Sequence, residues 1–367
     1  MVARDFNGDG KLDLIISDGT TADIVVFLGN GDGTFQNPGP PISGFNDVLF
    51  TVSDVNGNGK PDLVVGTTFV AVFLGNGNGT FTLKDSYLAS ALGGPIFVAD
   101  FNGDGKPDVE VGGTLLLGSG DGSFQGNPAV SPNKTGFGPP MVTGDFNGDG
   151  NTDIALLSSN LYILLGDGTG KLSVAHTYTL PLPGSAIATA DLNGDGKLDL
   201  LIVTIDPITQ AGSLVVMLGN GDGSFGSPAS FAVGTTLGAP IPIRIANFNG
   251  DGKSDVVVLN INSSNLSVFL GKGDGTFTSP VTYFPGSGAS SLATADFNSD
   301  GIIDIASAGS AGLGILLGKG DGTFQPATFP LSGINAIFAA ADLNGDGKAD
   351  LVGSGEWGRL SSAFRCR

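Results

Sequence analysis

Ala99–Val111 reads ADFNGDGKPDVEV. Asp100, Asn102, Asp104 and Asp108 occupy positions 1, 3, 5 and 9 of a D-x-N-x-D-G-x-x-D loop, with apolar residues on both sides. Gly105 at position 6 permits the positive φ of a sharp turn. The stretch therefore reads as a strand, an acidic turn and a second strand. Loops of this kind start at Asp5, Asp54, Asp100, Asp145, Asp191, Asn247, Asp296 and Asp342, at intervals of 49, 46, 45, 46, 56, 49 and 46 residues. A period of that length marks a repeat architecture, so the two domains that 367 residues would suggest give way to one array.

A second element follows each of the first seven loops: GNGDGTF at Gly29, GNGNGTF at Gly75, GSGDGSF at Gly118, GDGTGKL at Gly166, GNGDGSF at Gly219, and GKGDGTF at Gly271 and Gly318. These are hairpin turns. A phosphate-binding glycine loop would open a helix and avoid acids, whereas these carry Asp32, Asp121 or Asp222 and return into a strand. Each unit resolves into four short strands, A to D, rich in Val, Ile, Leu and Phe and without helical periodicity. Four strands per repeat of about 45 residues predict an all-β β-propeller of four-stranded antiparallel blades. The WD dipeptide and the kelch signature are absent. Alternating strand direction puts the acidic A–B loops and the C–D hairpins on one face and the variable B–C and D–A segments on the other. The Phe of each hairpin (Phe35, Phe81, Phe124, Phe225, Phe277 and Phe324, with Leu172 in the fourth unit) is expected to pack between neighbouring blades.

Eight acidic loops but seven hairpins leave two blade counts. Seven blades, with Ile334–Ala341 completing the first, is the expectation; eight with one incomplete is the alternative. The propeller is read as 1–353, with 354–367 (GEWGRLSSAFRCR after Ser354) an unrelated, truncated tail. The chain begins inside a repeat, at MVARDFNGDG, with no signal peptide, as a fragment would.

Composition narrows the function. The net charge of −19 repels phosphate and excludes nucleic acid as a partner. No apolar run approaches the roughly 20 residues of a membrane helix, so membrane insertion is not expected. The single cysteine, Cys366, allows no internal disulfide. Of 35 acids only Glu110 and Glu356 are glutamates, and such a bias toward the shorter side chain points to local geometry rather than a solvated charge face.

The loop oxygens have the spacing of a Ca²⁺ site, since Ca²⁺ takes six to eight oxygen ligands. The candidate ligands are the side chains at positions 1, 3, 5 and 9 and the main-chain carbonyl at position 7. By loop they are Asp5, Asn7, Asp9, Lys11 and Asp13; Asp54, Asn56, Asn58, Lys60 and Asp62; Asp100, Asn102, Asp104, Lys106 and Asp108; and Asp145, Asn147, Asp149, Asn151 and Asp153. The second half supplies Asp191, Asn193, Asp195, Lys197 and Asp199; Asn247, Asn249, Asp251, Lys253 and Asp255; Asp296, Asn298, Asp300, Ile302 and Asp304; and Asp342, Asn344, Asp346, Lys348 and Asp350. The loops hold 22 of the 35 acids, and eight divalent ions would move the net charge from −19 to −3. An EF-hand would need an acid at position 12; here that position is Ile16, Val65, Val111, Leu156, Ile202, Val258, Ser307 or Gly353.

DFNGDGKPDL-like loops followed by LGNGDGTF resemble the FG-GAP/VCBS repeat family, related to the propeller of integrin α subunits, over nearly the whole chain. The resemblance implies a seven-bladed propeller as the usual form, structural Ca²⁺ in the A–B hairpins and a partner on the opposite face. Asn247 at position 1 of the sixth loop and Asn58 at position 5 of the second each remove a charge and should weaken those sites. The seventh loop has Ser299 and Ile302 where Gly and Lys are usual.

The expected function is a calcium-binding extracellular adhesion or protein-interaction module. The alternatives are a lectin-type propeller binding glycan and an architectural segment of a larger surface protein. A lectin should repeat aromatic platforms in register; Tyr87, Tyr178 and Tyr283 show none clearly, and Trp357 stands alone in the tail. Catalysis is not expected: the only histidine, His176, lies in an outer strand and has no nucleophile elbow near it.

Overall fold

In the computed structural model, the structure is described for all residues except 18–22, 46–48, 68, 89–94, 113, 127–139, 236–241, 356–359 and 365–367. Trp357, Cys366 and all of NPAVS (127–131), near which the sequence puts the fourth strand of the third unit, lie outside the described residues. Among those described, the secondary structure is all β.

Eight antiparallel sheets follow one another along the chain, each meandering A-B-C-D without crossover. The fold is an eight-bladed β-propeller, as the alternative count had it. Six blades have four strands; the first and last have three. The seven-blade arrangement fails at one edge. Val2–Arg4 pairs with Asp13–Ser17 and occupies the inner edge that Ile334–Ala341 would have needed, so Ile334–Ala341 pairs with Asp350–Gly355 in a sheet of its own. The stretch read as a tail also enters that sheet, because Leu360–Phe364 pairs with Asp350–Gly355 as strand C. In blade 1, among the described residues, the fourth strand is reduced to isolated bridges, Ile24 with Ile42 and Gly29 with Phe35.

The chain divides into two compact units. The first comprises Met1–Leu156, Tyr162–Thr177 and Leu343–Gly345; the second comprises Leu157–Leu161, Tyr178–Asp342 and Asp346–Arg367. Within each, the B strands are buried on both faces, and beyond their leading Asp most of them read as near-continuous apolar runs rather than alternating ones. Asp62–Gly66 and Asp153–Leu157 are buried at every position. The D strands form outer edges, and Phe81–Leu88 exposes Thr82 through Ser86 with Lys84 and Asp85 among them, the charged edge that discourages pairing with another chain.

The hairpin aromatics pack between blades as expected. Phe81 of blade 2 meets Phe6 of blade 1 edge-on at 5.9 Å between ring centroids. Phe324 of blade 7 meets Phe248 of blade 6 at 5.5 Å. Leu172, the substitute in the fourth unit, packs with Phe101 of blade 3.

Candidate metal centres

Each acidic loop is a set of side chains closing on its own main chain. The position-5 side chain accepts the position-7 N–H through Oδ1 in all eight loops, at 2.8–3.0 Å. The position-3 Asn accepts the position-5 N–H, for example Asn7 from Asp9 at 2.9 Å and Asn193 from Asp195 at 3.0 Å. Position 1 spans the turn. Asp5 accepts from Gly8 and Gly10 at 2.7 and 2.8 Å, and Asp100 does the same from Gly103 and Gly105. Burial pulls the Asp5 carboxyl up, but the N–H groups of Gly10, Gly8, Asn7 and Asp9 together hold it below the usual carboxylate range. These bonds answer part of the repulsion among the carboxylates without any ion.

Position 9 is different. Asp13, Asp62, Asp108, Asp153, Asp199, Asp255 and Asp304 are fully buried. One oxygen of each accepts the N–H of the position-2 residue, as in Phe6 to Asp13 at 2.8 Å and Leu192 to Asp199 at 2.8 Å. The other accepts the N–H of the glycine that opens the hairpin, as in Gly29 to Asp13 at 2.7 Å and Gly219 to Asp199 at 2.8 Å. The aspartate thus ties the acidic loop to the C–D turn of the same blade. The residue at the opening of the hairpin has to be glycine, because a β-carbon on Gly29 would stand 2.1 Å from the Leu12 carbonyl oxygen. Desolvation pushes all seven carboxyls above the usual range against the pull of these two N–H groups.

The two expected departures are visible. Asn58 keeps the Oδ1 contact but offers no charge. In the sixth loop Asn247 Oδ1 is buried without a hydrogen-bond partner. Ser299, in the glycine position of the seventh loop, has φ 64°, a strained conformation for a residue with a side chain.

Neighbouring loops are also joined. Thr152 donates its hydroxyl to the Asp100 carbonyl at 3.2 Å, and Ser254 to that of Asp191 at 3.3 Å. Beside the third loop lies an open notch of about 200 Å³ lined by Ser53, Val98, Ala99, Asp100, Gly105, Lys106 and Pro107.

The residues thus separate into a half-buried to exposed group at positions 1, 3 and 5 and a fully buried one at position 9. Among the described residues no three acidic or histidine side chains stand close enough to hold an ion by themselves. The donor set is mixed: carboxylate, amide and main-chain carbonyl oxygens, all hard donors suited to Ca²⁺. Each position-9 oxygen accepts one N–H and retains a lone pair. By this donor chemistry the loops fit a calcium ion.

FG-GAP-like repeat models match residues 5–65, 54–111, 145–202, 191–258, 247–307 and 296–353. The chain belongs to the FG-GAP-like repeat family. No curated protein sequence matches this FG-GAP chain. Two of the solved structures that share its fold illustrate the likeness. One is a lectin from Agrocybe aegerita, solved for its specific recognition of non-reducing terminal N-acetylglucosamine, at 22% identity and a TM-score of 0.54, covering 83% of this chain and 89% of the lectin. The other is the V. cholerae biofilm matrix protein Bap1, at 16% identity and a TM-score of 0.54, covering 96% of this chain and 83% of Bap1.

Sequence reasoning missed the tyrosines. Tyr87 and Tyr283 end or nearly end a D strand, and each hydroxyl accepts the N–H of the next blade's hairpin Phe: Phe124 to Tyr87 at 2.8 Å and Phe324 to Tyr283 at 3.3 Å. Phe225 donates likewise to Tyr178 at 2.7 Å. The rings meet edge to face, at 5.8, 5.4 and 6.4 Å respectively. The three tyrosines are in register, as braces rather than as a ligand platform.

Proposed function

We propose that this FG-GAP propeller is a calcium-stabilised extracellular binding module, without catalytic activity, that engages a protein partner in adhesion through its variable B–C and D–A loops. The observation that carries the reading is the eightfold repetition of one all-oxygen loop, set against B–C and D–A segments that share no motif. In each loop the side chains at positions 1, 3, 5 and 9 and the position-7 carbonyl would hold the ion. Bound calcium supplies neutralising charge, which the net −19 and the buried position-9 carboxylates favour. Extracellular modules bind calcium at about 10⁻⁴–10⁻³ M, a range suited to the outside of a cell.

A glycan partner is the second reading. It is supported by the lectin and the biofilm matrix protein that share the fold.

Thermal unfolding in excess Ca²⁺ and in EGTA tests the calcium reading. At about 100 times Kd each site contributes about 2.7 kcal/mol, so several sites raise the midpoint by many degrees; equal midpoints would reject it. Retention on immobilised polysaccharides and on protein-coated surfaces in millimolar Ca²⁺ separates the two partners. Retention on neither would reject a binding role.

A further inference from the structure

We infer that the lysine at position 7 is a built-in counter-ion to the loop, and that the loops lacking it, in blades 4 and 7, are the first to take up calcium. The inference rests on the calcium reading and adds an order of filling to it. Its starting point is the second oxygen of the position-5 carboxylate, since the first is taken by the position-7 N–H in every loop. In blades 1, 3, 5 and 6 the ammonium of the same loop approaches that second oxygen: Lys11 to Asp9 at 3.9 Å, Lys106 to Asp104 at 3.2 Å, Lys197 to Asp195 at 3.9 Å and Lys253 to Asp251 at 3.6 Å.

The exceptions follow the chemistry. In blade 2 position 5 is the neutral Asn58, and Lys60 turns instead to the hairpin carbonyl of Asn76 at 3.0 Å. In blades 4 and 7 position 7 is Asn151 or Ile302. There the position-3 amide donates to the second oxygen, Asn147 to Asp149 and Asn298 to Asp300, both at 2.9 Å. In blades 1, 3, 5 and 6 the ammonium stands beside the carboxylate, in blade 2 it goes to a carbonyl instead, and in blades 4 and 7 the carboxylate has a neutral amide and no ammonium.

The lysine is also held in place. Its stem lies across the second glycine of the C–D hairpin, where a β-carbon on Gly31, Gly120, Gly221 or Gly273 would come within 2.9–3.0 Å of the lysine Cδ. A confined stem loses little further freedom on pairing, which is the usual cost of a surface ion pair. An arriving divalent ion must displace this ammonium or bind beside a like charge. In blades 4 and 7 it displaces only a neutral amide. Each compact unit contains one such loop.

Calorimetric titration of the full chain with CaCl₂ tests the order of filling. The wild type should show two sites about two- to fivefold tighter than the lysine loops. Asn151→Lys with Ile302→Lys should abolish the tight class. Replacing Lys11, Lys106, Lys197 and Lys253 by Met should bring the first, third and fifth loops into it, while the sixth, with the neutral Asn247 at position 1, stays weaker. The control replaces Lys84, Lys171, Lys272 and Lys319 by Met, an equal charge change away from position 5, and should leave the two classes separated. A single class in the wild type, a tight pair surviving in the double-lysine variant, or a control matching the position-7 variant would overturn the inference while leaving calcium binding intact. No calcium uptake by any variant would overturn the calcium reading and this inference together.

Discussion

Replacing Asp199 by Ala removes an acceptor that two buried N–H groups share, those of Leu192 and Gly219, both at 2.8 Å. Hydrogen bonds to a charged group are worth about 1.5–3 kcal/mol each, and a buried donor left unpaired costs about 1–3 kcal/mol. Against this stands the relief of a carboxylate whose desolvation holds its pKa above the usual value. The net expectation is a loss of about 2–4 kcal/mol, within the range for breaking a buried network. Asp199→Asn keeps one acceptor but turns an NH₂ toward an N–H, and should lose about half as much. Urea unfolding followed by far-ultraviolet circular dichroism, in EGTA and in excess Ca²⁺, measures both. A structural tie predicts the loss in EGTA as well as in calcium. A variant within about 0.5 kcal/mol of wild type in EGTA, the range of a neutral surface change, would refute the tie and leave Asp199 a metal ligand only.

Three further predictions follow from the same geometry. Tyr87→Phe removes the acceptor of the Phe124 N–H and keeps the edge-to-face ring contact, so unfolding should cost about 1 kcal/mol less, whereas an unchanged midpoint would mean that water replaces the hydroxyl. Ser299→Gly relieves a φ of 64° and should stabilise by up to about 1 kcal/mol, a gain read as a higher urea midpoint; a lower one would mean that the strain is illusory. Without metal, stability should peak below neutral pH. The seven buried position-9 carboxyls have raised folded pKa values, so their contribution is full below the ordinary Asp value and is lost as pH rises through the folded one. Asp5, Asp104, Asp149, Asp191 and Asp251 have lowered values, so theirs is present above the ordinary value and is lost as pH falls. Thermal midpoints in EGTA should therefore rise from pH 7 to a maximum near the ordinary Asp range and fall below it; a monotonic decline from pH 7 would contradict these shifts.

Which features could be read in advance depends on how far apart their partners lie along the chain. The acidic turn is confined to nine residues, so its oxygens, its glycines and its recurrence were all legible, and with them the four-stranded repeating unit. That position 9 serves the hairpin was not. Its partner glycine lies 16, 13, 10, 13, 20, 16 or 14 residues downstream, an interval stretched by the B–C loops, and a contact without fixed spacing leaves no motif. The tyrosine braces are hidden for the same reason, at separations of 37, 47 and 41 residues.

Blade number was equally a tertiary matter. The sequence sets Leu360–Phe364 apart as foreign to the repeat, but a strand needs only a free edge with unpaired N–H and C=O groups, and both it and Val2–Arg4 found one. The role of the position-7 ammonium required the folded loop as well, since only there does the lysine stem cross the hairpin glycine. The sequence by itself determined the repeating unit, because turn chemistry and strand patterning act between near neighbours. The tertiary structure decided what closes each edge and what each buried carboxylate holds, because those choices are made between residues that the chain brings together only once it has folded.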